Sequence, residues 1–188
     1  MTTPPIFISH SHLDNRECRD LVDFIAGQFP GADIFFDESN LHGGDDWMQR
    51  IQREVIARPI FIVVLSRHSV VAEWVREETN LALSRAVSDK VHRKVIPVQV
   101  DPGLQLRDID QLAPLLTTRQ ILNFAPGAPA SARDDLLRVL RARPAARPRA
   151  WTRSRWRSWR LPAIWRTRCT RKLPRSTGSP PRRLRAGR

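Results

Sequence analysis

Cysteine is scarce in this chain of 188 residues, with thiols only at Cys18 and Cys169. Two thiols cannot build a disulfide framework. Cys18 falls on a helical apolar stripe, where a reduced cysteine packs as a small hydrophobe. Long apolar runs are missing as well. The longest, Ile60 to Leu65, is far short of the roughly 18 residues that a membrane span needs. The opening Met1-Thr2-Thr3-Pro4-Pro5 lacks the charged and apolar regions of a signal peptide. These absences lead us to expect a cytoplasmic protein with no membrane partner. Acidic residues disappear altogether from the end of the chain. Pro144 to Arg188 holds 15 basic residues and no acid, which leaves 17 basic and 19 acidic residues before it. The net charge of +13 therefore belongs to the tail, and the body is nearly neutral.

This division sets the expected domains: a body over 1–143, large enough for a real core, and an Arg/Pro/Trp-rich tail over 144–188 that is disordered or frameshift-derived. Trp151, Trp156, Trp159 and Trp165 sit among arginines in the tail. One reading is an arm that binds nucleic acid non-specifically, with arginines on phosphates and rings on bases. A second is a solvated segment that never packs. A third is GC-rich DNA read in a shifted frame, which yields Arg, Pro, Ala, Trp and Ser while acids vanish.

Five short β-type runs punctuate the body: Ile6–Ile8, Asp33–Phe36, Ile60–Leu65, Lys94–Val100 and Gln120–Phe124. Their continuous apolar character suits strands buried on both faces of a parallel sheet. Helical stripes lie between most of them. Cys18, Leu21, Val22, Ile25 and Phe29 form one, and Trp47, Ile51 and Val55 form a shorter one. Residues 102–116 are weakly patterned and read as a short helix and loop. Ser131-x-x-Asp134 resembles a capping box ahead of Leu136, Leu137, Val139 and Leu140. Alternating strands and helices imply an open α/β sheet with right-handed crossovers.

The third helical stripe carries the chemistry. Its expected buried slots are 71, 74, 75, 78, 81 and 82, of which five are Val, Trp, Val, Leu and Ala. Position 78 is glutamate. A charged carboxylate in an apolar stripe is costly unless it has a partner or faces a cleft. Glu73 and Glu77 lie on the polar face with Arg76, Asn80 and Ser84. In open α/β sheets ligands bind beyond the carboxyl ends of the strands, where strand order reverses. Two loops would wall that crevice: Ser9-His10-Ser11-His12-Leu13-Asp14 after the first strand, and Ser66 to Ala72 after the third. The loop Asp37 to Asp46 would lie over it, with Gly43-Gly44 permitting close backbone approach. Trp74 and Glu78, one turn apart, would share a face.

Ser9 reads as a phosphate or ribose contact, or as a hydroxyl that satisfies loop backbone. Asp14 reads equally as the cap of the first helix. His10 and His12 form an H-x-H pair, but no third ligand accompanies them at metal-binding spacing, so no metal is expected. No Gly-Lys-Ser/Thr follows Gly43-Gly44, so this is not a P-loop.

The body resembles TIR (Toll/interleukin-1 receptor) domains of the bacterial kind. The matching pieces are Phe7-Ile8-Ser9-His10-Ser11 with Asp14, Ile34-Phe35-Phe36-Asp37, and Leu41-His42-Gly43-Gly44-Asp45-Asp46-Trp47. They continue with Ile62-Val63-Val64-Leu65-Ser66, Trp74-Val75-Arg76-Glu77-Glu78 and Val95-Ile96-Pro97-Val98. The resemblance implies a flavodoxin-like sheet of five parallel strands in the order 2-1-3-4-5. It also implies an NAD+ nucleosidase that cleaves the nicotinamide–ribose bond, with Glu78 catalytic and NAD+ a substrate, not a cofactor. Trp74, Ser9, His10, Ser11, Asp37, Gly43 and Gly44 would bind the substrate. Self-association through TIR–TIR contacts is implied too, with Asp37 to Asp46 in the assembly. A bacterial immune or antiphage effector of this type uses a sensor domain or protein, and none is recognisable in this chain. The alternative is a TIR interaction module without turnover.

Overall fold

The computed structural model describes residues 4–36, 45–89 and 92–142, with side chains in the second stretch from Gln49 onward. The tail, Asp37, Gly43, Gly44 and the side chains of Asp46 and Trp47 lie outside the described residues. Five strands appear: β1 Ile6–Ser9, β2 Ile34–Phe36, β3 Ile60–Leu65, β4 Lys94–Gln99 and β5 Leu122–Asn123. All pair in parallel, in the order β2-β1-β3-β4-β5, as expected. The helices are α1 Asn15–Gln28, α2 Asp45–Ala57, α3 Glu73–Ser88, α4 Leu106–Leu112, α5 Pro114–Thr117 and α6 Ala130–Arg141.

Alternation along the strands sorts the core into two layers, because successive side chains point to opposite faces. Ile6, Ile8, Ile60, Ile62, Val64, Ile96 and Val98 pack with Cys18, Leu21 and Ile25 of α1 and Leu136, Leu137 and Leu140 of α6. Phe7, Phe61, Val63 and Leu65 face the other way, onto α2, α3, α4 and α5. On that second face Phe7 stands in register with Phe35 and Phe61. Its ring stacks on both, with centroids 5.2 and 5.4 Å apart. Offset aromatic pairs of this kind add to plain area burial.

At the amino-terminal edge of the sheet, basic side chains meet helix carboxyl ends. Arg93 donates to the carbonyls of Val55 and Ile56 in the last turn of α2 and of Arg58 just beyond it. Lys94 donates to those of Val139 and Ala142 at the end of α6. Both satisfy carbonyls that a helix end leaves without a partner.

Three expectations need correction. The buried stripe of α3 is Val75, Thr79, Ala82, Leu83 and Ala86. Val71 is 72% exposed and Trp74 37% exposed, and Glu78 is half-buried. Val71 belongs to a short 3₁₀ turn, Ser69–Val71, that precedes the helix, so its side chain does not continue the helical face. Small residues dominate the true stripe and weaken its hydropathy signal. The Ser131-x-x-Asp134 capping box also fails, since α6 starts at Ala130 behind Pro129 with no side-chain cap. A capping box instead opens α4, between Gln105 and Asp108. Finally, residues 102–116 hold two short helices where one was expected.

Thr79 marks the cost of this stripe. It is fully buried, and its Oγ1 has no hydrogen-bond partner among the described residues. A buried hydroxyl left unpaired costs about 1–3 kcal/mol. Thr79→Val keeps the shape and removes the hydroxyl, so urea unfolding should show a gain of about 1 kcal/mol. A loss of stability would mean that the hydroxyl is satisfied.

Candidate functional site

β1 ends at Ser9 and β3 at Leu65, side by side at the point where the strand order reverses. Ser9 lies two residues beyond Phe7, so the pleat aims both at the layer that contains α3. Its side chain is buried, and its Oγ–H donates to Oε2 of Glu78 at 2.6 Å. That distance is in the range of hydroxyl–carboxylate bonds strengthened by charge. Glu78 thus sits at the carboxyl-terminal crevice of the sheet, held by the last residue of the central strand.

Trp74 lies one turn before Glu78. Its indole Nε1–H donates to the His10 carbonyl at 3.2 Å. The exposed His12 ring stacks on the indole, with centroids 5.7 Å apart and planes 23° from parallel. The His10 side chain is buried, 4.5 Å from the Phe36 ring centroid, and its Nε2 pairs with Asn15 Oδ1 at 2.9 Å. Ser11 is buried and caps the 3₁₀ turn His12–Asp14, accepting from Leu13 N at 3.4 Å. The two histidines therefore diverge, one packed inward and one laid on Trp74. Among the described residues, no three His, Cys, Asp or Glu side chains gather as a metal site.

The structure brings together Ser9, Glu78, Trp74 and the His10–Ser11 backbone. Asp37, Gly43 and Gly44 lie outside the described residues. Two further connections were not legible in the sequence. Ser66 Oγ–H donates to Asp14 Oδ2 at 2.6 Å, joining the loops after β1 and β3. The same oxygen accepts from the amides of His68 and Ser69, each at 3.0 Å. Burial pushes the Asp14 carboxyl above its ordinary range, and the Ser66 bond opposes this. The second connection is a forked ion pair, with Arg67 Nε and Nη2 donating to Asp101 at 2.8 and 3.2 Å. It ties the loop after β3 to the loop after β4. The partners lie 52 and 34 residues apart respectively, and no local pattern announces pairs at such distance.

The family model described as TIR domain matches residues 6–138. No curated protein matches the sequence. Among solved structures, the chain is similar to the TIR domain of the Toll-related receptor TRR-2 from Hydra magnipapillata. There the identity is 16%, the TM-score 0.53, and coverage 74% of this chain and 99% of that one. A TIR-STING receptor from C. gigas, solved with 2',3'-cGAMP, gives 20% identity and a TM-score of 0.53 over 72% of this chain and 38% of that one. The TIR domains of the activated Roq1 resistosome, which recognises the effector XopQ, give 16% and 0.53 over 73% and 99%. At these identities the likeness is one of fold. Among the described residues no helix is long and apolar enough to cross a membrane.

The Asp101 clamp gives a pH prediction. Hydrogen bonds from Arg67, outweighing the opposing effect of burial, hold the Asp101 carboxyl down, from an ordinary 3.8 to about 2. A carboxyl depressed in the folded state stabilises the fold above its unfolded pKa. That contribution is lost as pH falls through the folded value. The stability difference between wild type and Asp101→Asn should therefore hold at neutral pH and shrink between about pH 4 and pH 2. Chemical unfolding across that window measures it, and a difference independent of pH would rule the clamp out.

Proposed function

The chain belongs to the TIR domain family, and on that premise we propose that it is an NAD+ nucleosidase that cleaves the nicotinamide–ribose bond with Glu78 as its catalytic carboxylate. One observation carries the reading. Glu78 is half-buried at the carboxyl-terminal crevice, oriented by the Ser9 hydroxyl at 2.6 Å and one helical turn from an aromatic ring. The family resemblance supports it, since catalytic members use a glutamate four residues after a tryptophan on the third helix.

The chemistry asks little more than one oriented anion. When the glycosidic C–N bond breaks, its electron pair returns to the pyridinium nitrogen and nicotinamide leaves neutral, so departure needs no general acid. The ribose becomes oxocarbenium-like, as in glycoside hydrolysis. A fixed carboxylate beside it stabilises the developing positive charge without reorganising. It can also take the proton of an attacking water. Attack by water on the anomeric carbon gives ADP-ribose, and attack there by an internal nucleophile of the same ADP-ribosyl group gives a cyclic isomer. Both routes share the step at Glu78. The Ser9 hydroxyl donates to one carboxylate oxygen and so fixes the orientation of the group. The exposed Trp74 face, backed by His12, offers a flat wall to the nicotinamide end.

A second reading, an interaction module without turnover, draws on the rim of the same crevice. Leu13 and Val71 are 62% and 72% exposed there, and apolar side chains on a rim suit contact with another protein. Self-association fits both readings, and an antiphage or other immune role is the setting in which a clustered NAD+ nucleosidase makes sense. Sensing would then lie in a domain or protein outside the TIR domain.

Turnover of NAD+ by clustered full-length protein, followed by product chromatography, tests the proposal. Glu78→Gln keeps size and removes charge, and should lower turnover by roughly 10²-fold or more. Ser9→Ala should lower it about tenfold, the worth of one hydrogen bond to a charged group. Glu77→Gln should leave turnover near wild type. Equal rates in wild type and Glu78→Gln would refute the assignment, and no consumption by clustered wild type would leave the interaction module.

A further inference from the structure

Asp14 occupies the N-cap position of α1, where an aspartate ordinarily accepts a backbone N–H of the first turn. Its side chain makes no such bond. It reaches instead across the crevice floor to Ser66, at the end of β3, and the carboxylate oxygen accepts the Ser66 hydroxyl at 2.6 Å. Both residues are buried, at 4% and 2% exposure. A side-chain cap stabilises a helix start, so forgoing it for a contact 52 residues away calls for a reason.

Ser66 is the hub of the turn that launches α3. Its hydroxyl accepts from His68 N and Ser69 N, and its amide donates to Ser69 Oγ at 2.8 Å. Ser69, fully buried, donates back to the Ser66 carbonyl at 3.1 Å. Ser69 opens the 3₁₀ turn that runs to Val71, and α3 follows at Glu73. The loop after β1 therefore grips the start of α3 at two points. Asp14 holds Ser66, and the His10 carbonyl holds the Trp74 indole.

We infer that Asp14 and Ser66 form a buried latch that positions α3, so that Trp74 and Glu78 stay in register with Ser9. Asp14 is a positioning residue here and touches no substrate. The inference rests on the reading of Glu78 as the catalytic carboxylate. A shift of about 1 Å in a reacting group can cost as much as 10²-fold in rate, and a hydrogen bond as short as that between Ser9 and Glu78 tolerates little movement of the helix.

The test uses full-length protein in two arms. In the first, clustered Ser66→Ala should lose roughly 10- to 100-fold in kcat, with KM nearly unchanged, since positioning acts on the chemical step. Ser66→Thr keeps the hydroxyl and should restore most of it. Asp14→Asn is the second variant, should Ser66→Ala fail to fold, and should lose kcat in the same manner. In the second arm, hydrogen exchange at the Trp74 indole N–H is followed by NMR, its resonance identified by its loss in Trp74→Phe. Exchange should quicken in Ser66→Ala and return in Ser66→Thr. Ile60→Val, a core change in the other layer at the amino-terminal end of β3, controls for general destabilisation and should leave both readouts in place. The latch is overturned if Ser66→Ala moves kcat and indole exchange no more than Ile60→Val does, or if Ser66→Thr fails to restore them. Should clustered wild type consume no NAD+, the nucleosidase reading falls, and the indole arm alone decides the latch.

Discussion

The alternation of side chains along β1 governs everything that happens at the crevice. β1 lies between β2 and β3 with a helical layer on each face, and each of its residues must serve one layer or the other. Phe7 serves the layer of α2 and α3, where it joins the ring stack with Phe35 and Phe61. Ser9, two residues on, is carried to the same face and meets Glu78. A slip of one residue would turn Ser9 away from α3 and set Phe7 among the aliphatic residues under α1 and α6. The packing of the core and the orientation of the carboxylate are thus one decision.

The crevice is held by contacts between loops. Asp14 with Ser66, Trp74 with the His10 carbonyl, and Arg67 with Asp101 link the segments after β1, β3 and β4 into one rim. Each contact ties residues from separate crossovers, so no loop is fixed by its own sequence alone. At the opposite edge of the sheet, Arg93 and Lys94 are occupied with the carbonyls at the ends of α2 and α6. Polar groups there close helix ends, whereas those at the crevice rim join one loop to another. The division follows the rule that open α/β sheets bind ligands beyond the carboxyl ends of their strands.

α3 shows how a buried stripe and a half-buried acid share a helix. Its inner face uses Val75, Thr79, Ala82, Leu83 and Ala86. Glu78 stands beside that face and not within it, which lets a carboxylate reach Ser9 while keeping partial contact with water. A carboxylate in the stripe itself would bear the full cost of desolvation. The flank position instead leaves Glu78 half-buried, with Trp74 exposed one turn away.

By itself the sequence determined the strands and their parallel pairing, because these rest on local composition, and it singled out Glu78 as an acid next to apolar residues of α3. Runs such as Ile60 to Leu65 are short, rich in β-branched residues and apolar throughout, which suits strands buried on both sides, and Trp74 and Glu78 share a helix turn in any α3. The family pattern of short motifs over residues 6–98 added the strand order. Tertiary structure decided which face of α3 is buried, since Thr79 and the alanines carry little hydropathy and Val71 lies before the helix begins. It also decided that Asp14 leaves its cap for Ser66, that His10 turns inward while His12 lies on Trp74, and that Arg67 clamps Asp101. Those pairings join residues remote in the chain, and a hydrogen bond has no sequence signature until the fold brings its two ends within 3 Å or so of each other.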